Sequence, residues 1–181
     1  MRFQLNINLT VEDYIAFNRF AAFETPTGKT SYRRGRLLCI LIPLLILTVY
    51  VFARGWDTVS AVTVVVCGAV LAIYMLLFKK RWIAAMTKQI HKNLKTGAQR
   101  YDPVSSLEFF EDKLVDTTPT ERTERSYNTI EHIYVDGDRY IFLFVSSYQA
   151  YLLPISQVRA QMDPAELLEF LSQKCGAIEY C

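Results

Sequence analysis

The chain has 181 residues, of which 51% are hydrophobic and 21% are charged. This hydrophobic share excludes a disordered chain, and the charged share is too high for a polytopic transporter. The formal net charge is only +2, but the charge is distributed unevenly along the chain: residues 79–100 carry a net +7 and residues 101–181 carry a net −8. Length and charge together favour a small domain joined to a short membrane anchor.

The first ten residues alternate apolar and polar side chains, which is typical of a strand with one buried face. Because a strand must pair, we expect residues 1–10 to join a sheet formed by the C-terminal part. Thr10 and Asp13 have the spacing of a capping box and predict a helix over residues 11–23. An aromatic stripe on this helix either packs on the other helices, which we favour, or dips into lipid headgroups; it consists of Tyr14, Phe17, Phe20 and Phe23.

Two charge-free apolar runs follow, at residues 37–53 and 58–78. As helices they would extend roughly 26 and 32 Å, against a hydrocarbon core of about 30 Å. Only four residues, 54–57, separate the runs, which is enough for a tight turn at the far membrane surface. The pattern predicts a two-span transmembrane helical hairpin. The alternative, a pair of core helices in a soluble protein, is rarer for charge-free runs flanked by bases.

Basic residues flank the hairpin on one side only. They precede the first run (Lys29, Arg33, Arg34, Arg36) and follow the second (Lys79, Lys80, Arg81), whereas the turn between the runs is neutral. The positive-inside rule then predicts a protein of the cytoplasmic membrane with both termini in the cytosol. Residues 1–30 lack the apolar core of a signal peptide, so we expect the first span to direct insertion. Neither run contains an ionisable Asp, Glu, Lys, Arg or His, which argues against a pump or an ion-coupled transporter.

Gly68 and Ala72 form a small-xxx-small pattern on the second span. Such a face lets two helices approach closely. We expect it to pack against the first span of the same hairpin, with homo-oligomerisation as the alternative.

After the second span, residues 79–100 are expected to continue as a basic juxtamembrane helix with apolar side chains at every fourth position. Its bases are either solvated, the interpretation we favour, or in contact with anionic lipid headgroups, at about 1 kcal/mol for each base near the surface. Nucleic acid is not an expected partner, because the basic stretch lacks an aromatic stacking platform. The candidate lipid contacts are Lys79, Lys80, Arg81, Lys88, Lys92 and Lys95.

From residue 101 the sequence changes to short strands separated by turn residues. We predict strands at residues 105–110, 114–117, 122–127, 130–134, 140–145 and 149–153. Asp136-Gly137 is the strongest hairpin signal, and Pro154 should end the last strand. A helix is expected from Pro164 to Lys174, capped by Asp163. The fold class is therefore α+β: a two-span hairpin with a cytosolic antiparallel β domain, sheet or partial barrel, capped by a C-terminal helix.

Two stretches carry a family likeness: SYNTIEHIYVDGDRYIFLFVSSYQAYLLPISQV at residues 126–158 and LTVEDYIAFNRF at residues 9–20. Together with this arrangement of elements, they resemble the YcxB-like family of bacterial membrane proteins. The chain departs from the family pattern at Ile155, where related sequences tend to have a base after the proline. The resemblance implies a pleckstrin-homology-like β domain and no established activity. Charge and hydropathy divide the chain into four parts: residues 1–36 with the first strand and helix, the hairpin 37–78, the basic helix 79–100 and the β domain 101–181.

Residues that could carry catalysis do not form a recognisable set. His91 and His132 have no fixed local partner in the sequence, and Cys175 and Cys181 lack the further ligands that zinc needs. Cys39 and Cys67 lie in the apolar runs as small hydrophobes. We expect no catalytic, cofactor or metal site. The sequence favours a membrane-anchored, non-enzymatic module that binds an unidentified protein partner; the alternatives are a lipid or small-ligand sensor and an immunity-type membrane protector.

Overall fold

The computed structural model describes residues 2–96, 103–147, 149–176 and 178–181, which form eight strands and five α-helices within those ranges. In chain order they are β1 (Phe3–Asn8), α1 (Val11–Phe23), α2 (Pro26–Arg54), α3 (Thr58–Thr96), β2 (Val104–Phe109), β3 (Lys113–Thr117), β4 (Arg122–Ser126), β5 (His132–Asp136), β6 (Tyr140–Ser146), β7 (Gln149–Pro154), α4 (Ile155–Arg159), α5 (Pro164–Cys175) and β8 (Ile178–Tyr180). The chain is thus α+β, with two long apolar helices and antiparallel sheets.

The strands form two four-stranded sheets, in the orders β1-β2-β3-β4 and β7-β6-β5-β8. The expected pairing of the N-terminal strand with the C-terminal part is confirmed, because β1 lies antiparallel to β2 with Leu5 opposite Leu107. Helices α1 to α3 are therefore an insertion between two neighbouring strands of one sheet. The pairing of β5 with β8 is parallel, which the antiparallel prediction did not include.

The main core lies between the two sheets and is closed by α5. Leu5 and Ile7 point into it from β1, and Leu167, Phe170 and Leu171 enter it from α5. The ring of Phe170 meets those of Phe3 and Tyr127 in edge-to-face contacts, at centroid distances of 5.5 and 5.7 Å. The predicted role of the C-terminal helix as a cap on the strands is confirmed.

Strand β6 is buried on both faces. Ile141 and Leu143 belong to the main core, whereas Phe142 and Phe144 belong to a second cluster on the opposite face of the sheet. Successive residues of a strand point to opposite faces, so a continuous apolar run such as that of β6 requires cover on both sides. Helix α1 supplies that second cover.

Helix α1 has the predicted bounds and the predicted cap. The Thr10 hydroxyl accepts from the Asp13 N–H, and the Asp13 carboxylate accepts from the Thr10 N–H at 2.7 Å, so both halves of the capping box are made. Helix α2 begins at Pro26, capped by Thr25, and so already contains the bases that precede the first apolar run. Helix α3 continues without a break from the second apolar run into the basic segment, as expected, as far as Thr96; residues 97–100 lie outside the described ranges.

In the strand region one predicted boundary was wrong, and two short elements were missed. The fifth strand begins at His132 rather than residue 130, because residues Tyr127–Thr129 form a 3₁₀ turn in which the Tyr127 hydroxyl donates to the Phe110 carbonyl at 2.8 Å. Helix α4 and strand β8 were not predicted, since five and three residues are too short to show a period. The hairpin at Asp136-Gly137 is confirmed, with Gly137 at φ +50°.

Candidate functional site: the base of the helical hairpin

Helices α2 and α3 are both long and apolar enough to cross a membrane. The most apolar 18-residue stretch of α2 has no buried residue, and that of α3 is only 6% buried. Large apolar side chains on these helices are exposed, and Phe52 is 91% exposed. A core helix of a soluble protein would bury such residues, and a contiguous apolar surface of this extent marks a contact with something apolar.

We call the two sheets with α4 and α5 the β unit. An aromatic cluster joins α2 and α3 at the end of their apolar runs that lies nearer to this unit. Tyr32 of α2 contacts Phe78 and Trp82 of α3, at ring centroid distances of 5.5 and 5.8 Å. Phe23 at the end of α1 meets Tyr32 at 5.1 Å, so all three helices share the cluster. We call this region, Phe23 with Tyr32, Phe78 and Trp82, the hairpin base. Aromatic rings are the side chains that prefer a membrane–water interface.

A close backbone contact holds α1 against the start of α2. Gly28 lies so near α1 that a Cβ built on it would overlap the carbonyl oxygen of Ala21. The side chain of Thr25, buried between the helices, donates to that same carbonyl at 2.6 Å and accepts from the Gly28 N–H at 3.1 Å. Glycine is required here for approach distance rather than for an unusual backbone angle.

The aromatic stripe of α1 packs mainly on a sheet. Phe17 and Phe20 are buried against Tyr134, Phe142 and Phe144 of the second sheet, and the Phe20 and Phe142 rings lie 4.4 Å apart. The expectation of packing on the other helices holds only for Phe23, which meets α2; the other two buried rings face β6 because that strand has an apolar outer face. The β unit is therefore fastened to the hairpin base through α1.

A hydrogen bond adds to this attachment. The Tyr140 hydroxyl of β6 donates to Asp13 Oδ1 of α1 at 2.7 Å. Partial burial, followed by the hydrogen bond to the Asp13 carboxylate, raises the pKa of Tyr140 to about 12.

All six predicted basic contacts lie on α3 and are exposed. Lys79 and Arg81 fold back on aromatic rings, with Lys79 Nζ 5.0 Å from the Phe23 centroid and the Arg81 guanidinium carbon 5.2 Å from that of Tyr74. Lys80, Lys88, Lys92 and Lys95 form no ion pair with any described residue. The predicted apolar side of this helix is confirmed by Ile90, which is buried, and by its half-buried neighbours Trp82, Met86 and Leu94.

Two clefts flank α1. A mainly apolar cleft of about 460 Å³ lies among α1, α2 and α3, lined by small side chains together with Trp82 and Met86. A more polar cleft of about 560 Å³ lies between α1 and the β5–β6 turn, where Arg19, Lys79 and Arg139 stand beside acids. Arg139 is already paired with Asp136 at 2.8 Å.

The expectation for Gly68 and Ala72 was wrong. A Cβ added at Gly68 would meet nothing within 4 Å, so this face of α3 does not pack against α2. Instead Cys67 and Tyr74 of α3 face Cys39 and Pro43 of α2 across an apolar groove of about 560 Å³. The spacing of Gly68 and Ala72 places both residues on one face of α3, but a sequence pattern does not show which face of a helix packs against its neighbouring helix.

The remaining candidate residues are accounted for locally. His132 was expected to have no fixed partner, but its Nδ1 lies 3.3 Å from a Glu179 carboxylate oxygen across the β5–β8 pairing, which the missed strand explains. Burial raises the pKa of the Cys175 thiol to about 11, so this cysteine is a poor nucleophile. Within the described ranges, no three His, Cys, Asp or Glu side chains come together in a way that could hold a metal ion. No family model, curated protein or solved structure matches the chain.

Proposed function

We propose that the chain is a membrane-anchored, non-enzymatic interaction module, in which the apolar parts of α2 and α3 cross the cytoplasmic membrane as a hairpin. The β unit would then lie on the cytosolic side, held at the membrane surface to bind a protein partner. The observation that carries the proposal is the combination of two nearly unburied apolar helices with an α1 that fastens their base to a β unit with its own core.

The hairpin base supports a definite depth in the bilayer. If residues 58–78 of α3 cross the hydrocarbon core, the aromatic cluster lies at the cytosolic boundary of the core. The turn at residues 54–57, in which Arg54 and Asp57 form an ion pair at 3.6 Å, then lies at the opposite boundary. Arg33, Arg34 and Arg36 of α2 then stand level with the first bases of α3. This ring of bases suits an anionic leaflet.

The same depth divides the candidate lipid contacts into two groups. Lys79, Lys80 and Arg81 directly follow residue 78 and can reach headgroups. Lys88 lies ten residues further along one continuous helix, or about 15 Å, whereas the headgroup layer adds only about 5–7 Å on each side of the core. We therefore assign headgroup contact to the first three bases alone, and they act as an anchor rather than as a lipid sensor.

The β unit suits a binding role. Four strands followed by three more and a C-terminal helix are consistent with a pleckstrin-homology-like domain and support our proposal that the chain is YcxB-like. The edge of β1 is closed, because Gln161 and Gln157 bond to the backbone of Asn6 and Asn8. The exposed β4 edge and the surfaces beside α5 are the places where a partner could pair or pack.

Membrane crossing can be tested with one substitution at the centre of the first run. Leu45 is 66% exposed, so Leu45→Lys should change the stability of a soluble protein by less than about 0.5 kcal/mol. In a transmembrane helix the same change costs about 3 kcal/mol and should reduce the carbonate-resistant membrane fraction. Val104→Lys, at a residue 50% exposed on β2, is the matched control and should leave that fraction unchanged. Equal behaviour of the two variants would refute the membrane placement.

The interaction role needs a separate test in intact cells. A photo-crosslinking side chain at Glu121, at the start of the β4 edge, should capture a distinct protein on the cytosolic side. The same side chain at Trp56, in the turn on the far side, should not capture it. Phe20→Ala should weaken that capture while the protein stays in the membrane, because it removes the ring that fixes α1 on β6. Capture that is the same from both positions would contradict the proposed role.

A further inference from the structure

Lys88, Lys92 and Lys95 form a row on α3 that we call the basic row. Their spacing of four and three residues places them on one face of the helix, within roughly 60° of each other. That face is opposite the buried Ile90 and the half-buried Met86 and Leu94, so the row points away from the side of α3 that is covered by its own chain. Helix α3 contains no acidic residue that could neutralise the row.

Lipid is a poor partner for the basic row. With residues 58–78 in the core, the three ammonium-bearing residues start about 15, 21 and 26 Å beyond residue 78. Screening at physiological salt reduces electrostatic attraction over about 8 Å. A tilt of about 20° shortens these distances by only a few per cent. A partner that contacts the basic row must therefore extend well beyond the headgroup layer.

Exposed acids lie at the start of α5. Glu166 and Glu169 lie about one turn apart at exposed positions of this helix, and Asp163, also exposed, is its N-cap; we call these three residues the acidic row. None of the three forms an ion pair with a described residue. Asp163 uses one oxygen to cap α5, accepting from the Ala165 N–H at 2.9 Å.

The two rows are opposite in charge. The three bases lie within about 10.5 Å of α3 at residues 88–95, and the three acids lie between the N-cap of α5 and residue 169. Within one chain the basic row lies opposite the covered side of α3, and no ion pair joins the two rows among the described residues. A second copy in the same membrane has the same orientation, so it carries its acidic row on the same side of the bilayer.

We propose that the basic row of α3 docks on the acidic row of α5 in a second copy of this chain. Each copy carries both rows, so two reciprocal contacts close a two-fold dimer. This inference rests on the proposed membrane anchorage, which confines both copies to one plane and raises their effective concentration. It identifies one partner of the interaction module as the chain itself.

The decisive experiment reverses each row and then mixes the variants. Variant one is Lys88→Glu with Lys92→Glu and Lys95→Glu; variant two is Glu166→Lys with Glu169→Lys, which leaves the Asp163 cap in place. Full-length proteins with two different tags are reconstituted in nanodiscs, and association is measured by energy transfer between the tags. Each variant alone should associate at least about tenfold more weakly than the wild type, because like charges then face each other.

The mixture of the two variants should recover association to within about threefold of the wild type, since both reciprocal contacts again pair opposite charges. This recovery also shows that the variants are folded. Glu131→Lys, at an exposed acid outside α5, is the matched control and should leave association unchanged. Wild-type association should weaken as salt is raised.

Three results would overturn the proposal: unaltered association of either variant alone, no recovery on mixing, or an equal loss with Glu131→Lys. The membrane fraction of each protein is measured in parallel. A chain that stays in the membrane but does not self-associate refutes only the dimer contact, whereas a wild-type chain that fails to insert refutes the proposed anchorage itself.

Discussion

Two glutamine side chains form hydrogen bonds along the outer edge of β1. The Asn6 N–H donates to Gln161 Oε1 at 2.8 Å, and Gln161 Nε2 donates back to the Asn6 carbonyl at 2.9 Å. Gln157 makes the same two bonds to Asn8, at 2.8 and 2.7 Å. Two side-chain amides one helical turn apart thus replace the neighbouring strand that an edge otherwise lacks. We predict that Gln157→Ala with Gln161→Ala opens this edge.

The expected cost follows from the four hydrogen bonds. A hydrogen bond contributes about 0.5–1.5 kcal/mol net, and the low end applies here because water can solvate the released backbone. Four bonds at about 0.5 kcal/mol give about 2 kcal/mol, which corresponds to roughly thirtyfold faster local opening. The loss of protection should be confined to the outer edge of β1. Ile7 lies between Asn6 and Asn8, and its backbone N–H and C=O groups face β2 instead of the glutamines.

Hydrogen exchange resolved at single amides measures this directly. The amides of Asn6 and Asn8 should exchange faster in the double variant, while that of Ile7 stays protected. Gln173→Ala, at an exposed glutamine of α5, is the control and should change none of them. Unchanged exchange at Asn6 and Asn8, or equal acceleration in the control, would show that the glutamines do not hold the strand.

Two further predictions concern the attachment of α1. Gly28→Ala should greatly lower the stability of the α1–α2 junction, because the added Cβ would overlap backbone atoms that cannot move aside. Gly35→Ala is the control and should be tolerated, because its Cβ would meet only the rim of the Trp82 ring, at 3.0 Å. The thermal midpoints of the two variants are compared. The folded-state pKa of Tyr140, about 12, lies above its usual value near 10, so its contribution is complete below pH 10 and is lost as pH rises through about 12. Tyr140→Phe should remove that alkaline loss, and a denaturation series between pH 8 and 12 would contradict the reasoning if both proteins lost stability in parallel.

Local patterns predicted local structure well. The capping box at Thr10 and Asp13 gave the start of α1 because both partners lie within one helical turn. The hairpin at Asp136-Gly137 and the cap at Asp163 are local in the same sense. Helix α4 and strand β8 were missed because elements of this length carry no period, and β8 owes its existence to pairing with β5 rather than to its own residues.

The contacts that build the site are long-range, and the sequence held only one signal for them. The unbroken apolar run of β6 indicates a strand covered on both faces, although it does not say that α1 is the cover. The bonds from Gln157 and Gln161 to β1 join residues 149 and 155 positions apart, so no spacing could reveal them. Similarly, the exposed side of Gly68 depends on how α2 and α3 meet, which packing decides.

The position of the helical insertion explains how the β unit can be held in place at a membrane. The insertion leaves the sheet at Asn8 and returns at Val104, and these two residues are paired in the β1–β2 ladder. Both ends of the insertion are therefore fixed to adjacent strands, and α1 is fixed again by Phe20 on β6. A displacement of the β unit relative to α1 must break the Phe20 contact, strain the β1–β2 ladder, or both. The basic row of α3 and the acidic row of α5 are thus presented from one connected body, which is what two reciprocal contacts between copies require.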